Sequence, residues 1–228
     1  MLPALSITPL DGSVLPPGTL TRIVAAVPAV ALLNRLYGKD APVALAALVA
    51  TDPVLQRQLG GVHLVHPTDW PTSPGAGWIL APFVRAPGLD NASRFSDGSY
   101  GLWYGADRTT TAQAEVGHHL STFLARSRAV ADDLPRTILR ATPDPSRPVV
   151  DLRAPGAAPA GVLDPSSYAA SRPFGAACRA ADLWGLVWPS VRRSGSTCVG
   201  VLRPPVLAAC SEVGNCVAVW NGHTLTWR

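Results

Sequence analysis

The sequence contains almost no lysine. Lys39 is the only lysine among its 19 lysine and arginine residues, and the formal net charge is +4. Compositional bias is one explanation, since alanine and proline are also abundant. Arginine nevertheless suits bidentate contacts with phosphate groups. Because the chain has no arginine-rich run or basic helix, we do not expect DNA or RNA as a direct partner.

Long apolar runs and metal-binding spacings are also missing. No uninterrupted apolar stretch reaches the roughly 18 residues that a membrane span needs, and residues 1–8 lack the basic and apolar regions of a secretory signal. We therefore expect a cytoplasmic protein whose cysteines are free thiols. The four cysteines do not follow a zinc pattern, so no metal is expected. Cys198 and Cys216 lie in apolar runs and are predicted core residues.

The 228 residues suffice for a large core, because a chain of this size hides roughly 70% of its unfolded surface on folding. Apolar runs predict strands at residues 20–27, 63–66, 101–105, 136–141, 149–152, 186–188, 198–202, 216–220 and 224–227. Helices are predicted at residues 30–37, 42–59, 110–126 and 168–181. Asn221-Gly222 is a hairpin signal. Early helices and late short strands favour an α+β fold.

The helix at residues 110–126 carries an acid on its apolar face. Thr110 is its predicted N-cap, with Gln113 as the capping-box partner. Glu115 lies past the first turn, where capping and the helix dipole do not explain an acid. At a spacing of about 3.6 residues, it falls among the inward positions Ala112, Val116, His119, Leu120 and Phe123. A buried carboxylate is costly unless it is paired or used. The structural alternatives are an ion pair with an arginine or a helix rotated towards water.

Three segments carry an arginine, a glutamate and a serine in order. They are Arg94-Phe-Ser-Asp-Gly-Ser-Tyr100, Thr111-Ala-Gln-Ala-Glu115 and Trp188-Pro-Ser-Val-Arg192. Tyr104 ends a short strand between the first two segments. Residues 21–24, 164–169 and 198–204 match as well. The ordered set resembles the RES domain, named for its Arg-Glu-Ser signature, over roughly residues 20–227.

The resemblance implies a fold and an organisation. The fold is α+β, with a core like that of ADP-ribosyltransferases: two packed, mainly antiparallel sheets with flanking helices and a cleft between them. Residues 1–18 are expected to form an arm and residues 19–228 one domain. The stretch 143–165, rich in proline, alanine and glycine, is then a surface connection and not a domain boundary, because the resemblance continues on both sides.

The resemblance also implies an activity and a partner. Enzymes of this family cleave the nicotinamide–ribose bond of NAD, as phosphorylases or as glycohydrolases. NAD is then the substrate, phosphate is a candidate co-substrate, and no cofactor is needed. The family context implies a toxin whose partner is an antitoxin with a helix-turn-helix DNA-binding part. The oligomeric state is left open, a homo-oligomer included.

The resemblance assigns catalytic roles to four residues. Glu115 would stabilise the oxocarbenium-like state that forms when nicotinamide leaves. Arg94 would bind the pyrophosphate of NAD; its alternative is an arginine of a surface loop. Tyr104 would stack on nicotinamide or reach the ribose, unless it is a core residue. Ser190 lacks a nucleophile elbow, so it is expected to hydrogen-bond nicotinamide or ribose, or to cap a turn.

Two further arginines are candidates for phosphate binding. Arg22 lies on the first predicted strand, and its alternative is an ion pair at the strand end. Arg192 shares the face of Ser190 if the strand pattern continues. Trp103 and Trp188 occupy positions where the family usually has smaller residues or tyrosine, which leaves the fit of the substrate open.

Two other functions compete with NAD degradation. The same arginine, tyrosine and glutamate would serve an ADP-ribosyltransferase that modifies a protein, because only the acceptor differs. A catalytically silent binding module is the other alternative. The joint presence of the four signature residues argues against it.

Overall fold

The computed structural model of the protein describes residues 18–26, 40–51, 60–85 and 87–228. The strands are β1 (Leu20–Ala25), β2 (Trp103–Ala106), β3 (Asp132–Pro143), β4 (Val150–Asp151), β5 (Gly185–Pro189), β6 (Thr197–Val201), β7 (Leu207–Trp220) and β8 (Leu225–Trp227). The α-helices are α1 (Ala41–Thr51), α2 (Ala76–Leu80), α3 (Thr109–Arg126) and α4 (Ser171–Ala180). The predicted α+β class is thereby confirmed. No helix of the described ranges is long and apolar enough to cross a membrane.

The strands form one sheet in the order β4-β5-β6-β2-β1-β3-β7-β8. All neighbours pair antiparallel except β4 and β5, which are parallel. At its middle, β1 and β2 are joined only through the pair Thr21 and Ala106. The two sheets expected from the resemblance are therefore two halves of one sheet, β4-β5-β6-β2 and β1-β3-β7-β8. This narrow junction connects the two halves.

Both halves of the sheet bury side chains in a common core. Leu139 of β3 packs in the same cluster as Val187 of β5 and Val199 of β6. A second cluster lies between α4 and the β5-β6 half and contains Phe95 and Phe174. The loop that carries Phe95 approaches α4 closely at Gly175, where a Cβ would lie 2.1 Å from the Phe95 carbonyl oxygen. The loop before β2 is thus fixed against a helix on one side and the sheet on the other.

Several predicted elements have different bounds in the structure. Residues 60–64 form a 3-10 helix, so the strand predicted at 63–66 is wrong. Gly61 explains the difference, because its N–H donates to the Val84 carbonyl and a Cβ there would lie 2.3 Å from the Arg85 carbonyl oxygen. Strand β7 begins nine residues before its predicted start. The helix predicted at 30–37 and nearly all of the arm at 1–18 lie outside the described residues, as does the end of the helix predicted at 42–59.

Helix α3 begins one residue earlier than predicted and is not capped by Thr110. Arg108 occupies the N-cap position without a side-chain cap bond. Instead, the Thr111 hydroxyl donates to Asp107 at 2.8 Å. Phe123 was expected to face inward but is 65% exposed, while Leu124 is buried. One residue is about 100° of helix rotation, so the inward stripe turns away from Phe123 in the last turns.

The four cysteines are free thiols, as expected. Cys198 is buried, whereas Cys216 is only half-buried. Cys216 packs in a third cluster with Ile23 and Trp227. The core prediction therefore holds fully for Cys198 and partly for Cys216.

Candidate functional site

A cavity of about 560 Å³ opens beside the junction of the two sheet halves. This main cavity is bounded by β1, β2, the start of α3 and the loop before β2. Arg22, Arg94, Tyr104 and Glu115 line it. Ser190 lies behind Glu115, and Arg192 is not among the lining residues. The volume is in the range typical of small-molecule sites.

Glu115 is held by two donors that come from the sheet. The Ser190 hydroxyl donates to Glu115 Oε1 at 2.6 Å, and the Cys198 thiol lies 3.4 Å from the same oxygen. Ser190 is 8% exposed and Cys198 3%, whereas Glu115 is half-buried. Glu115 therefore faces inward as predicted. Neither structural alternative applies, since its partners in the described residues are neutral and not an arginine.

Strand pairing fixes the position of both donors. Ser190 directly follows β5, and its backbone N–H donates to the Ser196 carbonyl at 2.8 Å. Cys198 of β6 pairs with Trp188 of β5. The Ser190 oxygen also accepts the backbone N–H of Arg192 at 3.2 Å, so Ser190 caps a turn as well. Ser190 thus caps a turn, which was its structural alternative, and also contacts the carboxylate of Glu115.

Arg94 is buried and only partly satisfied. It is 6% exposed, so it is not an arginine of an open surface loop. Its Nη1 donates to the Asp164 carbonyl at 2.9 Å, and its guanidinium lies 4.6 Å above the ring of Tyr168. Its Nη2 is buried without a hydrogen-bond partner in the described structure. A charged donor buried without a partner is costly, and Arg94 is one of the residues that line the main cavity.

Tyr104 anchors the loop that presents Arg94. Its hydroxyl lies 2.8 Å from the Ser93 hydroxyl and accepts the Phe95 N–H at 3.2 Å. Burial raises the pKa of Tyr104, so the hydroxyl stays neutral. Its ring meets Trp188 edge-on, with centroids 6.2 Å apart. The ring of Tyr104 therefore lies on the cavity wall, whereas its hydroxyl is hydrogen-bonded to the loop.

Arg22 and Arg85 form a pair of cations on the cavity wall. Arg22 donates to the Tyr104 carbonyl at 3.0 Å. Burial, and then the charge of Arg85, lower the pKa of Arg22 to about 10, so Arg22 remains a cation at neutral pH. In the described part of the chain neither arginine forms an ion pair, and the ion pair considered for Arg22 is not observed there.

Arg192 lies away from the cavity lining. Its Nη2 donates to the Pro165 carbonyl, which directs the guanidinium towards the segment 164–169. Its charge contributes to lowering the pKa of His118, after the larger effect of burial. The structure therefore brings Arg22, Arg94, Tyr104, Glu115 and Ser190 together and places Arg192 beside them.

Further residues of the cavity were not assigned from the sequence. The ring of Tyr168 is shared by Arg94 and Arg172, and its hydroxyl lies 3.4 Å from His119 Nε2. Burial, and then His118, lower the pKa of His119. The match of residues 164–169 to the family was a usable signal for Tyr168. Only the three-dimensional arrangement reveals Arg85, because no local sequence pattern marks it as a residue of the cavity.

The main cavity is strongly cationic. Four arginines line it, Arg22, Arg85, Arg94 and Arg136, against one carboxylate, that of Glu115. Low-dielectric walls strengthen the field of such a cluster. An anionic ligand that also carries a group for Glu115 to contact fits this distribution of charge.

The protein is similar to known proteins in two respects, one structural and one of sequence. A chain of the M. tuberculosis MbcT–MbcA toxin–antitoxin complex is distantly similar, with 15% identity over 53% of this chain and 71% of that chain, at a TM-score of 0.38. No curated protein matches the sequence. The model of the RES domain matches residues 65–223, which include Arg94, Glu115 and Ser190. Since this match covers more than half of the chain, the protein belongs to the RES domain family.

Proposed function

We propose that this protein degrades NAD by cleaving its nicotinamide–ribose bond in the main cavity, and that it acts as the toxin of a toxin–antitoxin pair. The observation that carries the proposal is the carboxylate of Glu115, held by Ser190 on a cavity wall that otherwise carries only arginine charges. Membership of the RES domain family supports it. The activity is that implied by the family resemblance.

The chemistry needs one well-placed carboxylate. The C–N bond breaks with its electron pair going to the nicotinamide nitrogen, so nicotinamide leaves as a neutral ring and needs no general acid. Positive charge develops on the ribose, as in glycoside hydrolysis. A carboxylate held in a partly apolar site stabilises that charge without first having to reorganise. Glu115 fits this role because its Oε1 is fixed by Ser190.

The arginines supply the binding of the substrate. The unpartnered Nη2 of Arg94 offers a donor for one phosphate of NAD. Arg22 and Arg85 offer a second cationic position on the same wall. Planar guanidinium groups match phosphate oxygens in a bidentate manner. The pyrophosphate would thereby be anchored while the nicotinamide end lies near Glu115, Tyr104 and Trp188.

The reaction ends when an acceptor oxygen attacks C1′ of the ribose and loses its proton. Water gives ADP-ribose, phosphate gives ADP-ribose phosphate, and a protein side chain gives a modified protein. The helix-turn-helix antitoxin implied by the family resemblance would act by covering this cavity.

Nicotinamide release by the purified protein tests the proposal. We expect release from NAD, and a fall of roughly 10²–10³-fold in rate for Glu115→Gln, the range seen when one preorganised electrostatic group is removed. Glu212→Gln is the matched control, because Glu212 is exposed on β7. Product masses with and without phosphate identify the acceptor, and labelled protein bands would indicate a transferase. If no nicotinamide is released with or without phosphate, the assignment is overturned. Equal rates for Glu115→Gln and Glu212→Gln would overturn it as well.

A further inference from the structure

Two neutral donors share one oxygen of Glu115, and the second donor is a thiol. We propose that Cys198 is a positioning residue for Glu115: together with Ser190 it fixes Oε1 and leaves Oε2 for the ribose. The kinetic effect that we expect from this contact rests on the proposed function. The contact between Cys198 and Glu115 does not depend on it.

The geometry shows a constrained contact. Cys198 Sγ lies 3.4 Å from Glu115 Oε1, and Cys198 as a whole is 3% exposed. A thiol is a weak donor, but at this depth water competes little for the carboxylate oxygen. Cys198 also lines the main cavity. Its contact with Glu115 therefore lies at the site and not in a distant part of the core.

The two donors come from neighbouring strands and the acceptor from a helix. Cys198 belongs to β6, Ser190 follows β5, and the strands pair at Trp188 and Cys198. With Ser190 alone, the carboxylate could turn about its last side-chain bond while keeping one hydrogen bond. A second contact on the same oxygen, from the neighbouring strand, restricts that rotation. The plane of the carboxylate is then set by the sheet and not by the helix that carries it.

A cysteine suits this position better than most polar residues. Cys198 packs in the same cluster as Trp188 and Phe95, where a small, weakly polar side chain is well accommodated. Burial first, and then the charge of Glu115, raise the pKa of the thiol well above its usual value, with a smaller contribution from Asp107. The thiol thus stays protonated at neutral pH and can donate to the carboxylate.

Steady-state kinetics of Cys198→Ala and Cys198→Ser test the proposal. We expect Cys198→Ala to lower kcat for NAD about tenfold while KM stays within about twofold, because one hydrogen bond to a charged group is lost. Cys198→Ser, which keeps a donor, should recover most of the loss. Cys178→Ala removes another buried thiol, on α4, and should leave kcat unchanged. Equal losses in all three variants, or none in Cys198→Ala, would overturn the positioning role.

A second measurement needs no NAD cleavage. Alkylation of Cys198 at alkaline pH, followed by peptide mass, should be several-fold faster in Glu115→Gln than in the wild type, because the neighbouring negative charge is gone. Cys178 serves as the internal control and should not change. An unchanged rate for Cys198 would show that the thiol does not interact with Glu115. The Cys198 alkylation rate can be faster in Glu115→Gln although the wild type releases no nicotinamide. That result would support the contact between Cys198 and Glu115 and contradict the proposed function.

Discussion

Two cavities of the described structure, the main cavity and a smaller one, use arginine in different ways. In the smaller one, of about 250 Å³, Arg203 is fully engaged. Its Nε and Nη2 each donate to Asp69 at 2.9 Å, and its Nη1 donates to Asp182. The guanidinium also lies 4.2 Å above the ring of Trp184. Arg203 thus has two opposite charges as partners, which is the pattern of a structural contact, and Arg179 of the same cavity lies 4.6 Å from the ring of Tyr100.

The main cavity lacks such compensation. Arg94 is satisfied by backbone carbonyls on one side only, and Arg136 donates to the carbonyl of its own neighbour, Pro135. Among the described lining residues Glu115 alone carries a carboxylate, and it bonds to a hydroxyl and a thiol. Burial of a charge without an opposite partner is costly, so the buried Arg94 favours a function that a ligand completes. The comparison separates arginines that hold the fold from arginines available for a substrate.

Replacing Arg94 tests the substrate side of this comparison most strongly. Arg94→Lys keeps the charge but removes the planar fork and the unpartnered Nη2. We expect KM for NAD to rise roughly tenfold to hundredfold, the loss for one hydrogen bond to a charged group. Arg126→Lys, exposed on α3, is the control. A variant with lower thermal stability and an unchanged KM would instead show that Arg94 only fastens the segment 162–164.

Replacing Arg203 tests the structural side. Arg203→Ala leaves Asp69 half-buried without its partner, and we expect a loss of about 1–3 kcal/mol in the free energy of unfolding, reduced by partial exposure of the pair. Urea denaturation measures it, and a cycle with Asp69→Asn isolates the pair. At urea concentrations at which it stays folded, the Arg203→Ala variant should cleave NAD like the wild type. A stable variant with a raised KM would mean that the second cavity also contributes to binding.

A smaller effect is expected from pH at the edge of the main cavity. Burial lowers the pKa values of His118 and His119, with Arg192 and Arg94 acting in the same direction and Glu115 opposing them. The unfolded chain therefore binds more protons, and stability is lost as pH falls through the ordinary histidine value of about 6.5. Urea denaturation at about pH 7.5 and 5.5 should show this loss. The double variant His118→Gln/His119→Gln should show a smaller loss, and an identical one would exclude the histidines as its cause.

The sequence predicts those features of the fold and the site that leave a local pattern in the chain. Glu115 could be placed inward because the periodicity of α3 is clear in its first turns. The order of Arg94, Glu115 and Ser190 revealed the family, which the RES domain match confirms. Most strands were found because alternating or continuous apolar runs are strong signals in a half-buried sheet.

The remaining features depend on contacts between distant parts of the chain. No sequence feature near Gly61 indicates that it packs on the backbone of Arg85, so the 3-10 helix there was not predicted. The proximity of Arg22 and Arg85 arises only when β1 and the segment after α2 come together. The single residue pair that joins β1 to β2 likewise has no local signal, so the connection between the two halves of the sheet could not be read from the sequence.

Titration of NAD into the Glu115→Gln protein tests the central claim most directly, because binding is measured while turnover is suppressed. We expect NAD to bind at one saturable site. Adding Arg94→Ala should weaken binding at least tenfold, the loss for one hydrogen bond to a charged group, whereas adding Arg203→Ala should leave binding intact. Absence of binding, or equal weakening by both arginine substitutions in folded protein, would contradict the assignment of the main cavity as the NAD site.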